Sequence, residues 1–304
     1  MTRPTPPTNI SASVRAKLLK YAQEHQEDFN YILTRYGIER LLYRLHQHEE
    51  AHQFVLKGAM LFGIWTNVRH RATHDIDLLS SGSPELERLS TIFRSVCLIP
   101  VENDGVIFDP NSVNALRIRA DEEYEGVRIN LQGFLGSARI NLQVDIGFGD
   151  AITPGPARVQ IPTLLDLPAP LFASYPRETV IAENFQATVS LGMGNSRMKD
   201  FFDIDFLSCN FDFDGSVVAA AVDATFARRR TALPSELPIA FTELFTKNIS
   251  KQNQWRAFLK KSKLSGDTDL AVVMARVQAF TWPVVDAIRD RITIGTWSSS
   301  KGWM

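Results

Sequence analysis

The chain of 304 residues is long enough for one large domain or two ordinary ones around a substantial buried core. Hydrophobic residues make up 44% and charged residues 22%, the composition of a soluble globular protein. A formal net charge of -1 excludes bulk basicity as an argument for nucleic acid, so the distribution of charge matters more than its sum. Cys97 and Cys209 lie far apart, form no CxxC or metal-ligand pattern, and read as apolar fillers in a reducing compartment. The N-terminus has no apolar h-region and so is not a signal peptide. No uninterrupted apolar run approaches the roughly 18 residues that span a bilayer. The expectation is a cytoplasmic protein with no membrane partner.

Residues 1–10, rich in proline and threonine, read as a flexible tail. From Ser11 to about Glu50 the pattern is helical. SASVRAKLLKYAQEH opens on a serine cap, and FNYILTRYGIERLLYRLHQH spaces its apolar residues at three and four. FVLKGAMLFGIW begins extended and turns helical after Gly58. HDIDLLSS (74–81) is a short strand and PELERLSTIFRSVC a helix behind it. The period then falls to two: NALRIRADEEY, GVRINLQGFL and ARINLQVDIGF alternate as half-buried strands, paired antiparallel through short polar joins. Beyond Pro154 the texture changes. Residues 163–173 form a compact connection of prolines and leucines; ETVIAENFQATVSLG, RMKDFFDIDFLSC and later segments are all helical in period. The expected organisation is a tail at 1–10, an α/β core with N-terminal helices over 11–155, and a helical domain over 156–304. Trp255, Trp282, Trp297 and Trp303 read mostly as packing residues, the last two near an exposed chain end and Trp282 at a bend before Pro283.

Within Asp75-Ile76-Asp77 the spacing of two matters, because side chains at i and i+2 of a strand leave the same face. Two such carboxylates repel unless a cation lies between them, and hard divalent ions such as Mg2+ or Mn2+ prefer carboxylate oxygen. Asp145, in LQVDIGF, offers a third carboxylate on a strand able to lie beside the first. Phosphoryl and nucleotidyl transfer need such ions to neutralise developing charge and align an attacking hydroxyl. Lys57-Gly58 opens a turn where backbone can approach phosphate, and Arg71 and Thr73 stand just before the acidic pair. The bland alternative is a surface strand that carries its acids for no further purpose.

Two other patterns compete for a role. His48-Glu49-Glu50-Ala51-His52 is a literal HExxH, the zinc-protease pattern, but it ends a helix that is polar all round and no third-ligand pattern follows. Over 223–263 there are nine Lys or Arg against three acidic residues, with Arg228, Arg229 and Arg230 together. That is the footprint of an RNA or phosphate-rich partner, or else a solvated helix surface.

LKGAMLFGIW followed by RATHDIDLL resembles the KGG-T-A-L … R-x-[ST]-x-D-I-D-L signature of the AbiEii-type nucleotidyltransferase toxins, within the DNA polymerase beta-like superfamily. YPRETVIAENFQATVSLGMGNSRMKDFFDIDFL resembles that family's later ET-x-x-AEK … N-x-R-x-KD-x-x-D segment. The resemblance runs from about Phe54 to Leu207 and implies an α+β polymerase beta-like core, a mixed or antiparallel sheet flanked by helices, with a helical C-terminal half. It implies that Asp75, Asp77 and Asp145 hold the metal ion and act in catalysis. Lys199 and Asp203 would be catalytic, and Lys57, Gly58, Arg71, Thr73 and Asp200 nucleotide-binding. KDFFDIDF also reads as an amphipathic helix with its charges in water, Lys199 and Asp203 pairing four residues apart. The resemblance further implies transfer of a nucleotide from an NTP, with a tRNA 3′ end as acceptor, by the toxin of a type IV toxin–antitoxin system with a cognate antitoxin. Two positions depart from the pattern: Ala59 replaces the second glycine, and Asn184 the lysine of AEK that meets the nucleotide phosphates, for which Lys199 is the candidate substitute. Nucleotide transfer to a small molecule or a protein, and an impaired binding module of the same fold, are the alternatives.

Overall fold

The computed structural model describes residues 9–66, 75–121, 124–262 and 268–304, with the backbone alone at 119–121 and 124–125. Helix α1 (Ile10–Glu24) starts from Asn9, whose side chain accepts the Ala12 N–H at 3.0 Å. The cap therefore lies two residues ahead of the expected serine: Ser11 is inside the helix, and its hydroxyl donates to the Gly105 carbonyl at 2.9 Å. Helix α2 (Phe29–Gln47) is capped by Asp28, and its spacing of three and four buries Ile32, Leu33, Tyr36, Leu41 and Leu45. It also buries charge. Arg44 forks onto Asp104 at 2.7 and 3.2 Å, Glu39 accepts the Leu164 N–H at 2.7 Å, and Arg40 donates to the Pro168 carbonyl at 2.7 Å. The last two bonds fasten the segment expected as a compact connection, 163–173, to α2.

Contacts divide the chain into two units, the first comprising residues 1–149 and 158–174. Its strands are β1 (Phe54–Lys57), β2 (Ile76–Ser80), β3 (Val106–Asp121), β4 (Tyr124–Leu135), β5 (Ala138–Phe148), β6 (Ala157–Gln160) and β7 (Leu171–Ser174). They form one mixed sheet in the order β3-β4-β5-β2-β1-β7-β6. The meander β3-β4-β5 is antiparallel throughout, β5 runs parallel to β2, β2 antiparallel to β1, and β1 parallel to β7. Helix α3 (Met60–Thr66) follows β1, and α4 (Leu86–Leu98) packs on β3. Strand β7 takes up the end of the segment expected to be irregular. Its partner lies more than a hundred residues earlier, so no local periodicity announces it.

The second unit comprises residues 150–157 and 175–304. Helices α5 (Arg177–Leu191), α6 (Met198–Asn210), α7 (Gly215–Arg228), α8 (Glu243–Thr246), α9 (Ile249–Ser262) and α10 (Leu270–Asp290) enclose an aromatic core that includes Phe185, Phe201, Phe226, Phe245 and Phe280. The half expected to be helical throughout also holds a small antiparallel sheet, β10-β9-β8, from Phe213–Asp214 (β8), Thr296–Ser298 (β9) and Gly302–Trp303 (β10). Strands of two or three residues are too short to show alternation. Indole rings hold them instead: Trp297 donates to the Ser208 carbonyl at 2.7 Å and Trp303 to the Phe280 carbonyl at 3.0 Å, both packed on the Phe280 ring. Helix α10, which continues through Pro283, is by length and composition apolar enough to cross a membrane. Yet 44% of its apolar stretch is buried in this unit, where it packs on α6 and α7.

Candidate active site

Strand β2 places Asp75, just ahead of its first residue, and Asp77 on one face of the sheet. Its two neighbours then extend that face sideways. Asp77 stands opposite Asp145 of β5 on one side and opposite Lys57 of β1 on the other, while Arg128 of β4 stands opposite Asp145. One row across four strands therefore reads Arg128, Asp145, Asp77, Lys57. Carboxylate oxygens of Asp75, Asp77 and Asp145 lie within 4.8 Å of one another, and all three residues are half-buried. The donor set is all oxygen and anionic, which fits Mg2+ or Mn2+ and not a soft or thiolate-seeking metal. Among the described residues it is the sole cluster of that kind.

Gly58 closes the row from below. Its φ of +76° is in the left-handed region, and a Cβ there would fall 2.0 Å from Asp77 Oδ2. Only glycine lets the turn between β1 and α3 lie against that carboxylate. On the other side Asp145 is firmly held: Arg128 donates through Nε to Oδ1 and through Nη2 to Oδ2, both at 2.8 Å. The Gln143 amide adds contacts at 3.1 and 3.3 Å. The hydrogen bonds to Asp145, and beyond them the charges of Asp145, Asp75 and Asp77, hold the Arg128 proton more tightly than usual against the opposing effect of desolvation.

Arg128 and Gln143 were not among the expected site residues. A signal for Arg128 existed: strands β4 and β5 meet at the two-residue turn Gly136-Ser137, and Gly136 has a φ of +60°. Arg128 and Asp145 each stand eight residues from that turn, so hairpin register alone sets them opposite. Arg71 and Thr73 lie outside the described residues.

The later motif falls on α5 and α6, inside the second unit. Asp200, Asp203 and Asp205 are 1%, 4% and 7% exposed. Charges facing water thus describe Lys199, which is exposed, but not the acids of this helix. The expected Lys199–Asp203 pairing is set in two different environments, one solvated and one buried. Asp200 accepts from Arg197 Nε at 2.5 Å, and burial pushes its carboxyl up while Arg197 pulls it back. Asp205 is forked by Arg276 through Nε and Nη2 at 2.6 and 2.7 Å.

A family model described as the nucleotidyl transferase AbiEii toxin of a type IV TA system matches residues 40–290. The chain belongs to the AbiEii family. It is accordingly a nucleotidyltransferase and the toxin member of a type IV toxin–antitoxin pair, with an NTP as substrate and an antitoxin as cognate partner. JHP933 from Helicobacter pylori, a solved structure, is similar at 14% identity and a TM-score of 0.43, over 83% of this chain and 90% of that one. A second H. pylori structure, provisionally assigned as a nucleotidyltransferase, is similar at 14% identity and a TM-score of 0.43, over 83% and 93%. No curated protein matches the chain.

At the AbiEii lysine position, Asn184 is half-buried on α5, and its buried Nδ2 has no hydrogen-bond partner among the described residues. Ala59, the other departure, is 5% exposed in the turn ahead of α3, where a second glycine is not needed. The basic segment divides. Arg229 is drawn inward onto Asp150 at 3.1 Å and Glu183 at 3.4 Å, and buried Lys251 donates to the Asn195 carbonyl at 2.7 Å. Arg228, Arg230, Lys247, Arg256, Lys260 and Lys261 stay exposed, and Lys263 lies outside the described residues. The HExxH pattern is not a zinc helix. His48 ends α2 and residues 49–53 make a tighter 3-10 turn, so the two histidines do not share an α-helical face. His48 Nε2 bonds Ser95 Oγ at 2.7 Å and His52 Nδ1 the Glu49 carbonyl at 2.9 Å. Of the two cysteines, Cys97 is the buried filler expected, its thiol pushed up to about 12 chiefly by burial, whereas Cys209 is exposed.

Proposed function

We propose that the protein transfers a nucleoside monophosphate from an NTP to the 3′ hydroxyl of a tRNA in the cytoplasm, with Mg2+ or Mn2+ held by Asp75, Asp77 and Asp145. The observation that carries this reading is the convergence of those three carboxylates on one sheet face, with Lys57 completing the row. The bound ion supplies neutralisation of the charge that develops on the transferred phosphoryl oxygens. Lys57 offers its ammonium to the triphosphate, and the backbone at Gly58 lies close enough to Asp77 to fix where the phosphates end. Asp145 accepts the proton of the acceptor hydroxyl as that oxygen bonds the α-phosphorus, and the α–β phosphoanhydride bond breaks to release pyrophosphate. Arg71, Thr73 and Asp200 are in this reading nucleotide-binding residues and Lys199 and Asp203 further catalytic ones, with Lys199 supplying the cation that Asn184 lacks. In this reading residues 11–155 are the catalytic core and 156–304 the helical domain, whose exposed Arg228, Arg230, Lys247, Arg256, Lys260 and Lys261 meet RNA phosphates.

The test is transfer from each of the four labelled NTPs to total RNA, protein and metabolite fractions, with and without EDTA. Label on tRNA that disappears with EDTA is the expected result. Label confined to protein or small molecules would move the acceptor elsewhere, and EDTA-resistant transfer would remove the metal. No transfer and no magnesium-dependent NTP binding would point to an impaired binding module.

A further inference from the structure

Asp145 meets two claims on its oxygens. It stands in the acidic cluster, yet a guanidinium already occupies one site on each of its oxygens and the Gln143 amide shares them both. A carboxylate offers about four acceptor positions in all. Arg44 and Asp104 make a similar fork elsewhere in the first unit, but there the side chains are 6% and 2% exposed and locked. At Arg128 and Asp145 the figures are 35% and 20%, so this guanidinium has a solvent side to move into. Its charge is also part of the site's balance. Two carboxylates stand between Lys57 and Arg128 in the row, Asp75 clusters with them, and adding a divalent ion brings a second positive group onto Asp145.

We propose that Arg128 is a displaceable counter-ion of the active site, which competes with the divalent ion for Asp145 and so weakens binding of the ion alone. This rests on the assignment of Asp75, Asp77 and Asp145 as the metal site. When the ion takes Asp145, the guanidinium keeps five N–H donors for an anion on the same sheet face, and nucleotide phosphates are of that class. Metal and nucleotide then favour each other, and the ion is held loosely until a triphosphate is present.

The experiment measures Mn2+ binding to the full chain by electron paramagnetic resonance, without nucleotide, for wild type, R128Q, R128K and D77N. R128Q should bind Mn2+ about tenfold more tightly than wild type, because a positive charge beside the ion is gone. R128K keeps the charge but not the fork and should fall between them. With Mn2+ saturating, R128Q should bind NTP several-fold more weakly. Equal or weaker Mn2+ binding by folded R128Q would overturn the proposal and leave Arg128 as a residue that only orients Asp145. Should R128Q not fold, R128K decides, and affinity unchanged from wild type overturns it. Mn2+ bound undiminished by D77N would bring down the metal site itself, and Arg128's role with it. Loss in D77N with no gain at Arg128 would bring down the counter-ion alone.

Discussion

The tripeptide Asp-Ile-Asp occurs twice in this chain, at 75–77 and at 203–205, and its two copies meet opposite fates. At the start of β2 the period of two sends both carboxylates to one face, where Asp145 joins them within 4.8 Å and all three stay half-buried. On α6 the same spacing turns the side chains about 200° apart, since each residue advances about 100°. There Asp205 is taken by Arg276 and both acids are buried. An acid pair on a strand gathers negative charge on one face, which Arg128 and Lys57 in the same row offset only in part and which a divalent ion can complete. The same pair on a helix is divided, and the protein supplies a counter-charge of its own. The difference teaches that a DxD signature carries chemistry only together with the backbone that displays it.

The comparison can be broken most sharply at Asp77. Asp77→Ala should lower nucleotide transfer roughly a thousandfold and abolish growth inhibition, the loss of several kcal/mol of charge stabilisation. Labelled-NTP transfer and plating of an inducible strain measure it, and near-normal transfer would sink the assignment. Gly58→Ala probes how closely the backbone must approach that carboxylate. A methyl group 2.0 Å from Asp77 Oδ2 has to move it, and a displacement of this size should cost about a hundredfold in transfer.

On the helix side the effect should be on folding. Arg276→Met leaves Asp205 buried without its fork and should cost about 2 kcal/mol by urea unfolding, discounted because Arg276 is itself partly exposed. Transfer per folded molecule should hold; a fall as large as that of Asp77→Ala would make the two copies functionally alike.

The smallest effect concerns a third kind of acid, Glu39, sealed in the first unit. Burial pushes its carboxyl from 4.5 up to about 7, against the pull of the Leu164 N–H and Arg40. A carboxyl raised in the folded state gives stability that is whole below the unfolded value and is lost as pH rises through the folded one. Glu39 should therefore cost the wild type about 1.7 kcal/mol between about pH 5 and about pH 6.5, a little under the full 1.36 kcal/mol per unit of pH because the group is part-titrated at both ends of that window. Glu39→Gln should flatten that slope, and parallel slopes in urea titrations would refute the buried acid's contribution.

Much of the site was legible because its cues are local. Alternation exposed β3, β4 and β5, Lys57-Gly58 marked a turn, and Asp75, Asp77 and Asp145 stood out by residue type. Arg128 was legible in principle through the symmetry of the Gly136-Ser137 hairpin, but only once that turn is placed to the residue. The parallel pairing of β7 with β1 and the burial of Asp200, Asp203 and Asp205 had no local cue. Both depend on partners distant in the chain. Asn9 displaced Ser11 as the α1 cap because either residue type accepts a helix N–H and tertiary contact at Gly105 chose between them.

By itself, then, the amino-acid sequence determined the kinds of element, the family signature and the acids on offer, all set by periodicity and side-chain chemistry within a few residues. The tertiary structure alone decided which carboxylates meet. Strand order and register bring Asp77, Asp145, Lys57 and Arg128 into one row, and no residue carries that information until its neighbour across the sheet is in place.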